Sequence, residues 1–215
     1  MRVFRRHIRK GLHVLDVGCS PGRWLLFFDK TLGCSATGID VSEKGVSVTR
    51  AFLAGKGSGA SVLFGDLTSP EWLDSLRGKF DRVTSLGVIE HFEGDSLAAM
   101  VEAHMNALRD GGMAIITIPN YGPESLLYRQ EAGNISGLER TTNLAVMDAG
   151  AFKSLFSRWR VIEMGYAGPA LLDRHFKNRG LSRVQAVVNI ALGWPSMLLP
   201  PGPAVSSFLY AVVEK

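Results

Sequence analysis

The chain has 215 residues, 46% of them hydrophobic and 20% charged, with a mean hydropathy of +0.11. This excludes a fibrous, collagen-like or disordered protein and describes one globular domain over residues 1–215, able to bury roughly 70% of the surface its unfolded form exposes without disulfides or a structural metal. The net charge of +4 is concentrated at one end, where Arg2, Arg5, Arg6, Arg9 and Lys10 face no acid within the first ten residues.

That basic arm, residues 1–10, has two readings: a solvated helix or tail, or a contact for RNA or an anionic membrane. No basic stripe with interleaved aromatics continues it, so nucleic acid is not the expected partner. Short apolar runs at 12–17, 36–40, 61–65, 81–86 and 113–118, closed by Gly, Asp, Ser or Pro, read as strands, and 22–31, 43–53, 70–76 and 95–108 between them read as helices. Alternation of this kind predicts an α/β fold, a doubly wound, Rossmann-like and mostly parallel sheet with helices on both faces. Residues 55–59 read as a turn, and Gly111-Gly112 as a tight turn before the fifth strand. The stretch 119–146 shows no sustained period and reads as a long loop of the binding or lid type. A helix at 148–157 with Asp148 as N-cap, a strand at 160–166, a helical segment at 170–199 and a strand at 207–213 complete a seven-stranded sheet, the last strand pairing antiparallel at its edge.

Cys19 and Cys34 lie in apolar runs with no Cys or His at ligand spacing, and no signal-peptide pattern opens the sequence, so a reducing cytoplasm is the expected location. The apolar run 184–199 contains Gln185, Asn189, Gly193 and Pro195 and falls short of the ~20 residues a bilayer requires. His7, His13, His104 and His175 have no partner at a recognisable spacing and read as surface or core histidines, and Trp24 reads as core.

Chemistry announces itself at Val14-Leu15-Asp16-Val17-Gly18-Cys19-Ser20-Pro21-Gly22-Arg23-Trp24, an apolar strand entering a Gly-containing turn and then a helix. Glycines there let the backbone approach a ligand, and the helix start supplies unpaired N–H donors. Asp40, 22 residues beyond Gly18 and at the end of the second strand, can accept both hydroxyls of a ribose. A dinucleotide fingerprint would need glycine at 20 and 23, where Ser20 and Arg23 stand, and neither Gly55-Lys56-Gly57 nor Gly78-Lys79-Phe80 completes a P-loop. Taken singly, Asp16 or Asp66 could be no more than a turn or capping residue.

Together these residues resemble the class I S-adenosylmethionine-dependent methyltransferases. Asp16, Gly18 and Gly22 match the family's Asp-x-Gly-x-Gly-x-Gly turn, with Ser20 in the place of the middle glycine; Asp40, Gly65-Asp66-Leu67, Phe80-Asp81-Arg82-Val83 and Leu108-Arg109-Asp110-Gly111-Gly112 follow in order over about residues 12–120. Val88-Ile89-Glu90-His91-Phe92 and Ile118-Pro119-Asn120 are similar to the branch containing quinone-biosynthesis O-methyltransferases. The resemblance implies S-adenosyl-L-methionine as cofactor. Its methionine part would lie on the turn formed by Gly18, Cys19, Ser20 and Gly22, with Asp16 near the ammonium and the backbone of Leu86 or Gly87 contributing. Asp40 would take the ribose, Val41 would cover the adenine, Asp66 would accept the adenine amino group, and the Leu67 N–H would meet a ring nitrogen.

Transfer to a hydroxyl also needs a base, for which His91 is the candidate, with Glu90 as an orienting or second acidic group. The same pair could instead cap the following helix or pack the rim of the sheet. Relatives with Glu-x-x-Glu-His here are associated with a divalent metal; Gly87 occupies the first acid's place, and no metal is expected. The acceptor is expected to be a small molecule, contacted by 119–146 and 167–206 with Tyr121, Tyr128, Arg129 and Arg140 as candidates. The apolar Leu171-Leu172 and 184–199 suit a lipid-like acceptor, a membrane surface, a dimer partner or ordinary core. An RNA or protein methyltransferase using the basic arm, and a non-catalytic cofactor-binding scaffold, are the alternatives. Against the former, strand four ends Ser85-Leu86-Gly87-Val88, without the Asn/Asp-Pro-Pro-aromatic signature of amino-group methylation.

Overall fold

The computed structural model describes residues 2–122, 124, 125, 142, 143, 146, 148–169 and 200–215. In chain order these form α1 (Arg2–His7), β1 (His13–Val17), α2 (Arg23–Leu26, continued by a π-helical turn Phe27–Thr31), β2 (Ser35–Asp40), α3 (Glu43–Ala54), β3 (Ser61–Phe64), α4 (Pro70–Leu76) and β4 (Phe80–Leu86). A 3-10 turn (Ile89–His91), α5 (Gly94–Ala107), β5 (Leu108–Pro119), α6 (Ala149–Ser154), β6 (Arg160–Pro169) and β7 (Ser206–Glu214) follow. The seven strands make one sheet in the order β3-β2-β1-β4-β5-β7-β6. Strands β1 to β5 are parallel and β7 runs antiparallel to both its neighbours.

The mostly parallel, doubly wound sheet expected from the alternation is therefore the observed architecture. Its near-continuous apolar strands follow from burial on both faces. Leu15, Ile116 and Val213 join the core beneath α4, α5 and α6, whereas their sequence neighbours Val14, Ile115 and Val212 join the core beneath α1, α2 and α3. The last strand pairs antiparallel as expected, but one place in from the edge, and β6 is outermost. Strand β7 is buried along most of its length and needs a neighbour on each side, while β6 exposes Ile162 and its polar residues tolerate an open edge.

Local chemistry accounts for the boundaries. Ser42 caps α3 by accepting the Gly45 N–H at 3.0 Å, and Asp148 caps α6 by accepting from Gly150 and Ala151 at 2.8 and 2.9 Å. Strand β5 begins at Leu108, earlier than the expected 113, and absorbs Gly111-Gly112, with Gly111 at φ 69° and a register irregularity facing it between Phe80 and Arg82. The helix expected at 22–31 is instead an α-turn followed by a π-turn.

The basic arm opens with a helix, and Arg2, Arg5, Arg6, Arg9 and Lys10 are exposed as the solvated-helix reading expects, while its apolar side chains are docked on the fold. Val3, Phe4 and Ile8 are buried, Phe4 meets Trp24 and Phe28 edge-on with ring centroids 5.0 and 5.3 Å away, and Arg5 stacks over Phe27 at 5.3 Å. Burying a side chain of that size contributes about 2 kcal/mol. Arg6 and His7 both engage Glu163 on β6, which also accepts from Tyr210 at 2.6 Å. Burial alone would raise the Glu163 pKa; the bonds from Tyr210, His7 and Arg6 outweigh it and bring the carboxyl to about 2. Trp24 is half-buried and packs against the core, and it does not line the cleft at the carboxyl ends of the strands. His104 is fully buried, with Nδ1 2.7 Å from the Met100 carbonyl. Cys19 and Cys34 are free and buried. No helix among the described residues is long and apolar enough to cross a membrane.

Candidate functional site

The order of strands reverses between β1 and β4, and at such a point the connections leave in opposite directions and open a crevice at the carboxyl ends of the strands. A cleft of about 270 Å³ lies there, lined by Val17 and Gly18 at the end of β1, Ile39, Asp40 and Val41 at the end of β2, Gly65, Asp66 and Leu67 after β3, and Gly87, Val88, His91, Phe92 and Met100 beyond β4. Residues separated by up to 83 positions in the chain thus meet because four parallel strands end side by side.

The first turn is shaped by its glycines. Gly18 sits at φ 66° and Gly22 at φ 90°, conformations that L side chains rarely adopt. A Cβ on Gly18 would stand 2.6 Å from a Val88 methyl, and one on Gly22 2.8 Å from a Thr49 methyl. The turn is tied across the sheet: Gly18 N–H donates to Ile39 O at 2.9 Å, and Ser20 N–H to Asp40 Oδ2 at 3.1 Å. Asp40 Oδ1 takes the Ser42 N–H at 2.9 Å, so one carboxylate links the turn to the start of α3. Each of its oxygens retains a second lone pair. Asp66 accepts the Thr68 N–H and hydroxyl on Oδ1 at 2.8 and 2.7 Å, while its Oδ2 carries no hydrogen bond among the described residues. Val41 is 65% exposed beside the cleft although its side chain is apolar.

Two carboxyls are buried next to lining residues without lining the cleft themselves, Asp16 beside Val17 and Glu90 beside His91. Asp16 is 2% exposed, and Thr84 Oγ1 donates to its Oδ1 at 2.7 Å. Burial raises its pKa to about 7, with the charge of Asp40 adding to the rise and the Thr84 bond opposing it. Glu90 is likewise 2% exposed; burial raises it to about 7 against the opposing effects of its own backbone N–H and the neighbouring His91. Its Oε2 has no hydrogen-bond partner among the described residues.

Of the sequence-derived candidates, Gly18, Asp40, Val41, Asp66, Leu67, Gly87 and His91 line one cleft. Cys19, Ser20, Gly22, Leu86, Asp16 and Glu90 do not line it. The Cys19 thiol faces the core, 2.5 Å from where a Cβ on Gly38 would lie, and burial pushes it up to about 12. Tyr121 is buried in the core rather than at the cleft. Tyr128, Arg129, Arg140, Leu171, Leu172, His175 and the run 184–199 lie outside the described residues. Gly87, in the place of the first acid of a Glu-x-x-Glu-His pattern, has φ 75°, a conformation strained for any L side chain, and a Cβ there would come within 3.1 Å of Glu90 Oε1.

Sequence reasoning missed Gly38, Trp72, Phe92, Met100 and Asn143. Gly38 could have been suspected, since a glycine inside an apolar strand marks a close approach; a Cβ there would collide with Cys19 and Leu25. Trp72 packs against Gly65, its Nε1 2.0 Å from a Cβ position there. Asn143 had no local signal, because its role lies in reaching the turn at Glu90–Phe92 from a distant segment.

The donor set suits an adenosyl group. Two carboxylates with spare acceptor capacity stand at the ends of adjacent strands, and Val41, Leu67, Val88, Phe92 and Met100 supply apolar walls for a flat ring. The sequence profile described as a methyltransferase domain matches residues 14–112. A ubiquinone biosynthesis O-methyltransferase of Dechloromonas aromatica is 33% identical over 119 residues, covering 55% of this chain and 49% of that protein. A sphingolipid C9-methyltransferase of Candida albicans is 29% identical over 112 residues, covering 51% of this chain and 22% of that protein. The chain spans about half the length of the ubiquinone relatives it matches. A S-adenosylmethionine-dependent methyltransferase from Archaeoglobus fulgidus superposes with a TM-score of 0.68 at 18% identity, covering 100% of this chain and 90% of that one. The phosphoethanolamine N-methyltransferase 2 of Haemonchus contortus, solved with S-adenosyl-L-methionine, gives 0.65 at 16%, covering 100% and 51%, and both likenesses are of fold. Residues 14–112, from β1 to the start of β5, match a methyltransferase domain, and the whole chain shares its fold with solved S-adenosylmethionine-dependent methyltransferases.

Proposed function

We propose that this chain transfers the methyl group of S-adenosyl-L-methionine to a hydroxyl oxygen of a small, largely apolar molecule. The observation that carries the reading is the meeting of Asp40, Asp66 and His91 in one cleft at the reversal of strand order. When bound, the cofactor supplies a sulfonium-activated methyl group. The chain's own residues bind, align and deprotonate. Asp40 accepts the ribose hydroxyls, Asp66 Oδ2 accepts the adenine amino group beside the Leu67 N–H, and Val41 closes the ring face. Asp16 lies under the turn Gly18–Gly22 as counter-charge for the ammonium, and the main chain of Leu86 and Gly87 completes that end.

Alignment of nucleophile, methyl carbon and sulfur can supply about 7 to 11 kcal/mol of the barrier reduction. Loss of the hydroxyl proton to a ring nitrogen of His91 supplies a further factor of about 10²–10⁴. Val88, Phe92 and Met100 around His91 favour an apolar acceptor, in keeping with the O-methyltransferases among the relatives.

The test is thermal and catalytic. S-adenosylhomocysteine at 100 times its Kd stabilises a binding protein by about 2.7 kcal/mol, a Tm rise of roughly 5–10 °C for a chain of this size; no rise removes the cofactor assignment. Offered an alkylcatechol, an unsaturated acyl lipid and ethanolamine phosphate, the enzyme should methylate the catechol, and transfer only to the others would relocate the accepting atom. His91→Ala should lower kcat at least 100-fold with cofactor Kd unchanged, and full turnover in that variant ends the base assignment.

A further inference from the structure

The turn that carries His91 makes two bonds of its own, His91 N–H to Val88 O at 3.1 Å and Phe92 N–H to Ile89 O at 3.2 Å. Neither uses the carbonyls of Glu90 and Phe92, the residues on either side of His91. Asn143 takes both. Its main-chain N–H donates to Glu90 O at 2.6 Å, and its side-chain Nδ2 donates to Phe92 O at 3.0 Å.

Hydrogen bonds to a carbonyl orient a whole peptide plane, because the plane is rigid. Asn143 orients the plane between Glu90 and His91 and the plane following Phe92; the turn's own bond from the Phe92 N–H orients the plane between them. With three successive planes held, the two backbone dihedrals of His91 and those of Phe92 are set, and both residues line the cleft. A segment that merely needed tethering would be held by the main-chain bond alone, whereas the side-chain bond spans His91.

We infer that Asn143 is a positioning residue that aims the His91 imidazole into the cleft by holding the backbone on both sides of it. The inference rests on His91 acting as the base, and its test separates the two. Asn143→Ala keeps the main-chain donor and deletes the side-chain one; Asn143→Asp sets a carboxylate against the Phe92 carbonyl; Asn143→Gln retains an amide donor one methylene further out. In protein saturated with S-adenosylhomocysteine, amide exchange of His91 and Phe92 should rise about tenfold in the Ala and Asp variants and recover in part in the Gln variant. Exchange of Leu15, Val83 and Ile116 in the core strands, and Tm, should stay at wild-type values.

With an alkylcatechol as probe acceptor, kcat should fall about tenfold in Asn143→Ala at unchanged cofactor Kd. In a His91→Ala background the same substitution should cost nothing further, since a residue acting through His91 has nothing left to act on. Wild-type exchange at His91 and Phe92, or equal losses of kcat in the two backgrounds, overturns the inference. Full turnover by His91→Ala alone instead overturns the base assignment, whatever the exchange data show.

Discussion

On the proposed placement of Asp16 beside the ammonium, cofactor binding is a proton-coupled event. Buried and pushed up to about 7, the Asp16 carboxyl is largely protonated at mildly acidic pH in the free protein. An ammonium placed beside it favours the ionised form, so binding must expel that proton wherever the free protein still holds it. Linkage then sets the sign: affinity is highest above pH 7 and falls tenfold per pH unit below it. For a free-state pKa of about 7 that drops below 5 on binding, the association constant falls roughly 25-fold between pH 7.5 and pH 5.5, about 2 kcal/mol. Calorimetry in two buffers of different ionisation enthalpy reads both the affinity and the protons released. Asp16→Asn keeps an acceptor for Thr84 Oγ1 and removes the ionisation, so its affinity should be lower and flat over this range. Folding runs the other way. A carboxyl with a raised folded pKa contributes stability that is present below its unfolded pKa and lost as pH rises toward 7, so Asp16→Asn should gain Tm relative to wild type at pH 8. A wild-type affinity independent of pH would refute the placement of Asp16 at the ammonium, and a slope that survives in Asp16→Asn would transfer the proton to Glu90.

Asp40→Ala removes the proposed ribose acceptors and should raise cofactor Kd by roughly 10- to 100-fold, in line with hydrogen bonds to a charged group; calorimetry showing unchanged Kd would refute its role. Because Asp40 also holds Ser20 and Ser42, a modest loss of Tm should accompany it. Gly18→Ala demands φ 66° of a residue with a Cβ and drives that Cβ to 2.6 Å from Val88, so stability should fall by about 1–3 kcal/mol in urea unfolding along with cofactor binding. His104 has its Nδ1 on the Met100 carbonyl and no partner for Nε2 among the described residues, and burial lowers its pKa to about 4. Its unfolded form takes up a proton below about 6.5. Stability attached to it is therefore lost as pH falls from about 6.5 to 4. His104→Leu should flatten the decline of Tm over that window, and an unaltered decline would contradict the burial of a neutral imidazole.

Much of the fold was written locally. Alternating apolar runs and helical periods identify the strands and crossover helices because a parallel strand buried on both faces must be apolar throughout, as Val14-Leu15 and Ile115-Ile116 are. Gly18, Gly22 and the acids Asp40 and Asp66 were legible for the same reason, since turn geometry and strand ends leave marks at short range. What the chain alone could not reveal depends on which distant segments meet. Strand β7 lies inside β6 because its two buried faces need partners, α1 is docked because Phe4 finds Trp24 and Phe28 and Glu163 finds Arg6 and His7, and Cys19 turns from the turn to the core because Gly38 leaves it room. Burial, the chief cause that raises Asp16 and Glu90 to about 7, exists only once the sheet has closed over them. The hold of Asn143 on the residues flanking His91 belongs to the same class: residue types and spacing carry no trace of it, because a hydrogen bond spanning some fifty positions is made by tertiary packing and not by local conformation.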